Sequence, residues 1–285
     1  MTLESQNILA SEHSMRVYVD VDMQKVADKF NQGAFLFDSL QGEESLSSLP
    51  TYTVKLLHRS DRLKLDVLLG TRLTVSIDTL TAPRYVGGLI TQAQLLGSAD
   101  DNDRYYSYEF KVSPWLWLTT LNQEFRIYQD LTVPQIVTQV LESYGLDFKF
   151  VLLDTYPLRS YCVQYAESNF NFVSRLLEEE GIHYYFQYSA DKHTLILADT
   201  FITHSSVEGY EEVPYFAQDK LVKVQSEYLS DYHPIDRLCS ESYSAKDYNF
   251  LGPSASLYVA DGWPQRQAHH PEGDVYEWPG KAVCS

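Results

Sequence analysis

Apolar and polar residues alternate with a period of two through the first part of the chain. Val17, Val19 and Val21 face Tyr18, Asp20 and Asp22; Tyr52, Val54 and Leu56 interleave with Thr53, Lys55 and Leu57. This spacing puts one set of side chains on each face of a strand. Residues 33–40 form another short strand segment, followed by a turn-like Gln41-Gly-Glu-Glu-Ser45. One helical turn over 66–69 stops at Gly70, and residues 72–77 form a strand. Residues 85–96 and 104–112 flank the polar run Gly97–Asp103, the pattern of a hairpin.

The period then changes. Thr132-Val-Pro-Gln135 is a compact helix start, with a threonine cap, Pro134 in the first turn and Gln135 placed for a capping box. Ile136, Val137, Val140, Leu141 and Tyr144 form its apolar stripe, and Gly145 ends it. Residues 147–153 and 161–165 read as strands. Ser168 then caps a second helix whose stripe is Phe170, Val173 and Leu177, widened by Phe172 and Leu176, with Gly181 as its stop. The segments 183–188 and 194–198 form a hairpin, and 221–228 and 237–250 return to strand. After Gly252 the prolines 253, 264, 271 and 279 break up regular structure. The fold class is mainly β (α+β): an antiparallel barrel-like domain over 1–112, a small α+β insert over 113–215 with helices at 132–145 and 169–180, and the start of a second, incomplete barrel over 216–285.

Composition narrows the function. Hydrophobic residues make up 44% and charged residues 21% of the 285, as in a water-soluble globular protein. The 39 acidic against 22 basic residues give a net charge of −17, which repels phosphate backbones and anionic membrane surfaces and excludes generic nucleic-acid binding. No apolar run reaches the roughly 18–20 residues that span a bilayer, and the start lacks the pattern of a signal peptide. Cys162, Cys239 and Cys284 form no CxxC pair, which fits a reducing cytoplasm, with Cys162 a buried hydrophobe. Tyrosine, at 22 copies, suits strands and interfaces.

Candidate chemistry is sparse. There is no GxSxG, HExxH or phosphate-binding glycine loop, so no catalytic, cofactor or metal residue is assigned. Asp100-Asp-Asn-Asp103 lacks the glycine and later glutamate of a calcium loop and reads as a hairpin tip. Glu178-Glu-Glu180 cannot share one helix face, and the run opposes the helix dipole; Arg175 is spaced to offset Glu178 and Glu179. Of the eight histidines (13, 58, 183, 193, 204, 233, 269 and 270), His183 and His193 sit on the two arms of one hairpin and could lie opposite one another, without the further ligands zinc requires. Trp115 and Trp117 after Pro114 lie on one face if the segment is extended, giving either a stacking platform or, as preferred here, core packing.

The wording of several stretches resembles the VgrG family of type VI secretion spike proteins, in the part similar to the baseplate hub of contractile phage tails. They include Leu68-Leu-Gly70, Tyr85-Val-Gly-Gly-Leu-Ile-Thr91, the segment from Tyr108 to Trp117, and Arg126-Ile-Tyr-Gln129 with Thr132-Val-Pro134. Most specific is Tyr161-Cys-Val-Gln-Tyr165 running into Ser168–Tyr188. The resemblance covers roughly residues 30–200. It implies a non-enzymatic homotrimer whose barrels form a ring on the Hcp tube hexamer, joined to baseplate components. Also implied are an effector or a separate C-terminal spike as partners and export through the type VI apparatus from the cytoplasm. Neither nucleic-acid binding nor membrane insertion is implied. Members continue past the stretch resembled by Tyr276-Glu-Trp-Pro-Gly280 into a needle, so the expectation is a hub segment without it. An orphan adaptor that holds an effector on the same fold is the alternative, and a hydrolase using paired carboxylates is a third reading.

Overall fold

The structure, a computed structural model, describes residues 17–21, 34–78, 82–99, 104–204, 212–216, 228–229, 232–235, 240, 242–249, 252–262 and 273–278. The chain is mostly β. Six strands, β1 (Val17–Val21), β2 (Leu36–Glu43), β3 (Thr51–His58), β4 (Arg72–Ile77), β5 (Arg84–Ser98) and β6 (Tyr106–Ser113), form one antiparallel sheet in the order β1-β4-β5-β6-β3-β2. Its edge strands β1 and β2 approach each other, so the sheet curls into a half-barrel. The concave face is lined by Val54, Leu56, Leu73, Val75, Phe110 and Val112, each at most 1% exposed. The period-two pattern of the sequence therefore delivers one buried face, as alternation requires.

Residues 41–43, expected to turn, continue β2 instead, with Gly42 opposite Tyr52. Pairing with β3 outweighs the local turn preference. Glycine matters most at Gly88 in β5. A Cβ there would meet the backbone carbonyl oxygen of Ser113 at 2.2 Å, so the bare backbone lets β5 pass close to the end of β6.

The insert follows. A 3-10 turn over Trp115–Thr120 leads to β7 (Glu124–Tyr128), α1 (Val133–Glu142), β8 (Phe148–Val151), β9 (Cys162–Glu167), α2 (Asn169–Glu179), β10 (His183–Tyr188) and β11 (His193–Ala198). The capping box of α1 is present: Gln135 N–H donates to Thr132 Oγ1, and Thr132 N–H donates to Gln135 Oε1 at 2.9 Å. Ser168 Oγ accepts the N–H of Asn171 to cap α2. At the far end, Gly181 N–H reaches Glu178 O and Ile182 N–H reaches Leu177 O, with Gly181 at φ +69°. That is a Schellman stop, in which a left-handed residue satisfies the last carbonyls.

The buried stripe of α2 is centred one position away from that expected. Phe172 and Leu176 are fully enclosed, with Val173 and Leu177, while Phe170 is only partly buried. These residues pack on Val133, Ile136, Val137, Val140 and Leu141 of α1 and on Trp115 and Leu116. The insert's sheet has the order β10-β11-β8, with β11 antiparallel to β10 and parallel to β8.

Beyond the insert, β12 (Ser242–Asp247), β13 (Leu257–Gly262) and β14 (Asp274–Glu277) form a three-stranded sheet, with β12 parallel to β14. The strand expected over 221–228 lies almost wholly outside the described residues. So do Asp100–Asp103, Cys239, Cys284, His13, His269 and His270.

Candidate docking surfaces

Two kinds of surface stand out: the joint between half-barrel and insert, and the outer face of the β7–β9 ribbon. Polar contacts gather at the joint. Ser47 N–H donates to Tyr184 O at 2.9 Å, and Tyr184 N–H donates to Ser47 Oγ. The hydroxyls of Tyr52 and Tyr188 meet at 2.7 Å, and Tyr52 also donates to Glu44 Oε1. Trp115 N–H donates to His193 Nε2 at 2.8 Å. Burial, with Arg72 nearby, pushes His193 down to about 4, so the ring is neutral and free to accept at physiological pH.

The Trp115-Leu-Trp117 segment is a 3-10 turn, not an extended strand, so its two indoles do not share a face. Trp115 is 1% exposed and its Nε1–H donates to Asp147 O, while Trp117 is only partly buried. Core packing is therefore Trp115's role, and no two-ring platform exists there.

The ribbon pairs Phe125 with Tyr165, Ile127 with Val163, and Tyr128 with Cys162. Its inner face rests on α2: Tyr128 stacks on Phe172 with centroids 5.4 Å apart, and Cys162 is buried, which raises its thiol pKa. A buried polar knot anchors the same corner and left no signature in the sequence. Gln164 Nε2–H donates to Asn169 Oδ1, Asn169 Nδ2–H donates to Tyr144 Oη, and the Asn169 backbone N–H donates to Asn122 Oδ1. On the outer face Phe125 is 65% exposed, Ile127 59% and Tyr165 74%, and the Phe125 and Tyr165 rings meet edge to face at 5.3 Å. Glu124 and Arg126, which alternate with Phe125 and Ile127 onto the other face of β7, pair with each other at 3.0 Å. The paired residues of this face, Phe125, Ile127, Val163 and Tyr165, carry no charge, on a chain of net charge −17.

The glutamate run at the end of α2 is tied down differently from expectation. Arg159, twenty residues upstream, forks between Glu179 at 2.7 Å and Glu180 at 2.6 Å. Arg175 binds chiefly Glu167 at 2.8 Å and the carbonyl of Val163, with Glu179 farther away at 3.8 Å. Glu178 is exposed. Two arginines thereby neutralise carboxylates that would otherwise oppose the helix dipole.

His183 and His193 lie at opposite ends of their hairpin, paired with Ala198 and Tyr188. His183 meets His204 instead, Nε2 to Nε2 at 2.8 Å. Among the described residues no three His, Cys, Asp or Glu side chains gather to hold a metal ion, and no helix is long and apolar enough to cross a membrane.

A family model described as the phage tail baseplate hub (GPD) matches residues 43–284. The type VI secretion system spike protein VgrG1c of Pseudomonas aeruginosa is 32% identical over 282 residues, 98% of this chain and 37% of the relative. VgrG1b of the same organism is 34% identical over 247 residues, covering 86% of this chain and 33% of the relative. The chain thus spans little more than a third of the length of these relatives. Among solved structures, the E. coli c3393 protein superposes with a TM-score of 0.56 at 26% identity, over 71% of this chain and 53% of that one. It is described as a component of the type VI secretion system, similar to the T4 bacteriophage tail proteins gp27 and gp5. The 43 kDa tail protein of prophage MuSo2 from Shewanella oneidensis shares the fold, with a TM-score of 0.53 at 10% identity over 93% of this chain and 73% of that one. A curled antiparallel sheet with a two-helix insert, matched in this way over most of its length, belongs to the phage tail baseplate hub (GPD) family, in its VgrG-like type VI secretion spike form.

Proposed function

We propose that this chain is a structural hub segment of a type VI secretion spike. Three copies associate about an axis, dock on the Hcp tube and baseplate, and help deliver effectors. Assembly takes place in the cytoplasm, and the hub leaves the cell through the apparatus. The observation that carries this reading is the uncharged apolar face of the β7–β9 ribbon, standing open on a strongly acidic chain of the hub family. Copies that repel each other elsewhere can meet where no net charge is presented.

Magnitude sets the ribbon's share. Phe125, Ile127, Tyr161, Val163 and Tyr165 together offer roughly 500 Å², taking about 150–250 Å² for a whole aromatic side chain. A stable interface takes about 800 Å² from each partner, so the ribbon is one portion of a larger contact.

The test is sedimentation of the purified chain together with retention on immobilised Hcp hexamers. A trimer that binds Hcp, and loses mass or retention in a Phe125→Ser/Tyr165→Ser double variant, supports the reading. A wild-type monomer that ignores Hcp ends it.

A further inference from the structure

The insert's last turn carries a device that the hub reading does not use. Strand β10 is an edge strand of its sheet, and His183 and Tyr185 stand on the same face of it. After β11 the chain passes Asp199 and forms a 3-10 turn, Phe201–Thr203, begun by Thr200 Oγ1 accepting the N–H of Ile202 and ended by His204 N–H donating to Phe201 O. The turn brings His204 back over β10. Its ring lies 5.1 Å from that of His183 and 5.0 Å from that of Tyr185, centroid to centroid, and Phe201 stacks on His183 at 5.7 Å.

The two imidazoles are nearly coplanar, with an interplanar angle of 16°. Their Nε2 atoms are 2.8 Å apart, and the centroids are farther apart by little more than two ring radii. The nitrogens therefore point at each other along one line. A shared metal ion needs about 2.0–2.1 Å to each nitrogen, with both lone pairs converging on a third point. Here the space between them fits a proton.

We propose that His183 and His204 form a proton-sharing latch, which holds the exit turn Phe201–Thr203 against β10 and releases it once both rings are charged. With both rings neutral, one Nε2–H donates to the other nitrogen. One added proton leaves a charge-assisted bond in place. A second puts two N–H donors and two positive charges face to face, and the contact cannot survive. The charged group acting on His183 from the neighbouring strand end is Asp199, which favours its cation; burial and His204 act the other way and hold it below the ordinary histidine range. Tyr185 and Phe201 are the remaining rings of the cluster.

Hydrogen exchange of the full chain at pH 7.5 and pH 5.0, corrected for intrinsic rates, tests the latch. Amides of residues 201–204 are expected to lose protection at pH 5.0 relative to pH 7.5, while those of α1 do not. His183→Phe keeps an aromatic ring but cannot share a proton, so its exit turn should show no pH step. His193→Gln should retain the step, which separates the latch from the titration of His193. Equal protection at both pH values in the wild type, or an unchanged step in His183→Phe, overturns the proposal.

Discussion

His193 Nε2 accepts the backbone N–H of Trp115 at 2.8 Å, tying the hairpin of the insert to the chain just after the half-barrel's last strand. A protonated ring cannot accept this bond. The folded-state pKa of about 4 lies below the ordinary value, so between pH 6.5 and 4 the unfolded chain binds the extra proton. Stability from this group is complete above pH 6.5 and is lost as pH falls toward 4. The loss is about 3 kcal/mol, at about 1.4 kcal/mol per pKa unit. Urea denaturation across this range should show a shallower acid slope for His193→Gln than for the wild type.

Gly88 should tolerate no side chain. The carbonyl oxygen of Ser113 at 2.2 Å and the nitrogen of Pro114 at 2.9 Å are backbone atoms that cannot rotate away from an added Cβ. Gly88→Ala is expected to cost about 1–3 kcal/mol, the usual range for overpacking, read as a lower denaturation midpoint.

The Tyr52–Tyr188 contact should be measurable as a coupling. Tyr52→Phe and Tyr188→Phe each remove the shared bond, and Tyr52→Phe also frees Glu44. A double-mutant cycle should give about 0.5–1.5 kcal/mol between them, the net worth of one hydrogen bond. A coupling near zero would mean that the joint is held by packing alone.

The three glutamates closing α2 should behave unequally. Arg159→Met removes the guanidinium shared by Glu179 and Glu180, whose side chains are 14% and 15% exposed, at a helix end that already disfavours negative charge. A loss of about 2–4 kcal/mol is expected, near the range for breaking a mostly buried pair. Glu178→Ala, at an exposed position, should stay within about 0.5 kcal/mol of wild type. Thermal denaturation of the two variants checks both.

Much of the fold was legible because its determinants are local. Thr132 with Gln135, and Ser168 with Gly181, mark helix ends through bonds made within a few residues, so a short window holds the whole cause. Strand alternation in β1, β3 and β4 is likewise visible wherever one sheet face is buried. What stayed hidden depends on partners far along the chain. The reach of Arg159 to α2, and the turn of His204 back to His183, are set by tertiary contacts. Nearer candidates such as Arg175 with Glu178, or His183 with His193, looked equally good on spacing. The ribbon's outer face was hidden for another reason: Phe125, Ile127 and Tyr165 read as ordinary strand residues, and only the packing shows which face lacks a cover.

The parallel pairing of β11 with β8 has a consequence for the order in which the insert forms. Residues 152–192, carrying β9, α2 and β10, lie between the paired strands, so Leu195 sits beside Phe148 only when that whole span is closed. Closing so wide a loop costs entropy that only the completed pairing returns. The helices and the β10–β11 hairpin should therefore nucleate early, and docking onto β8 should be the late step that slows maturation of the subunit.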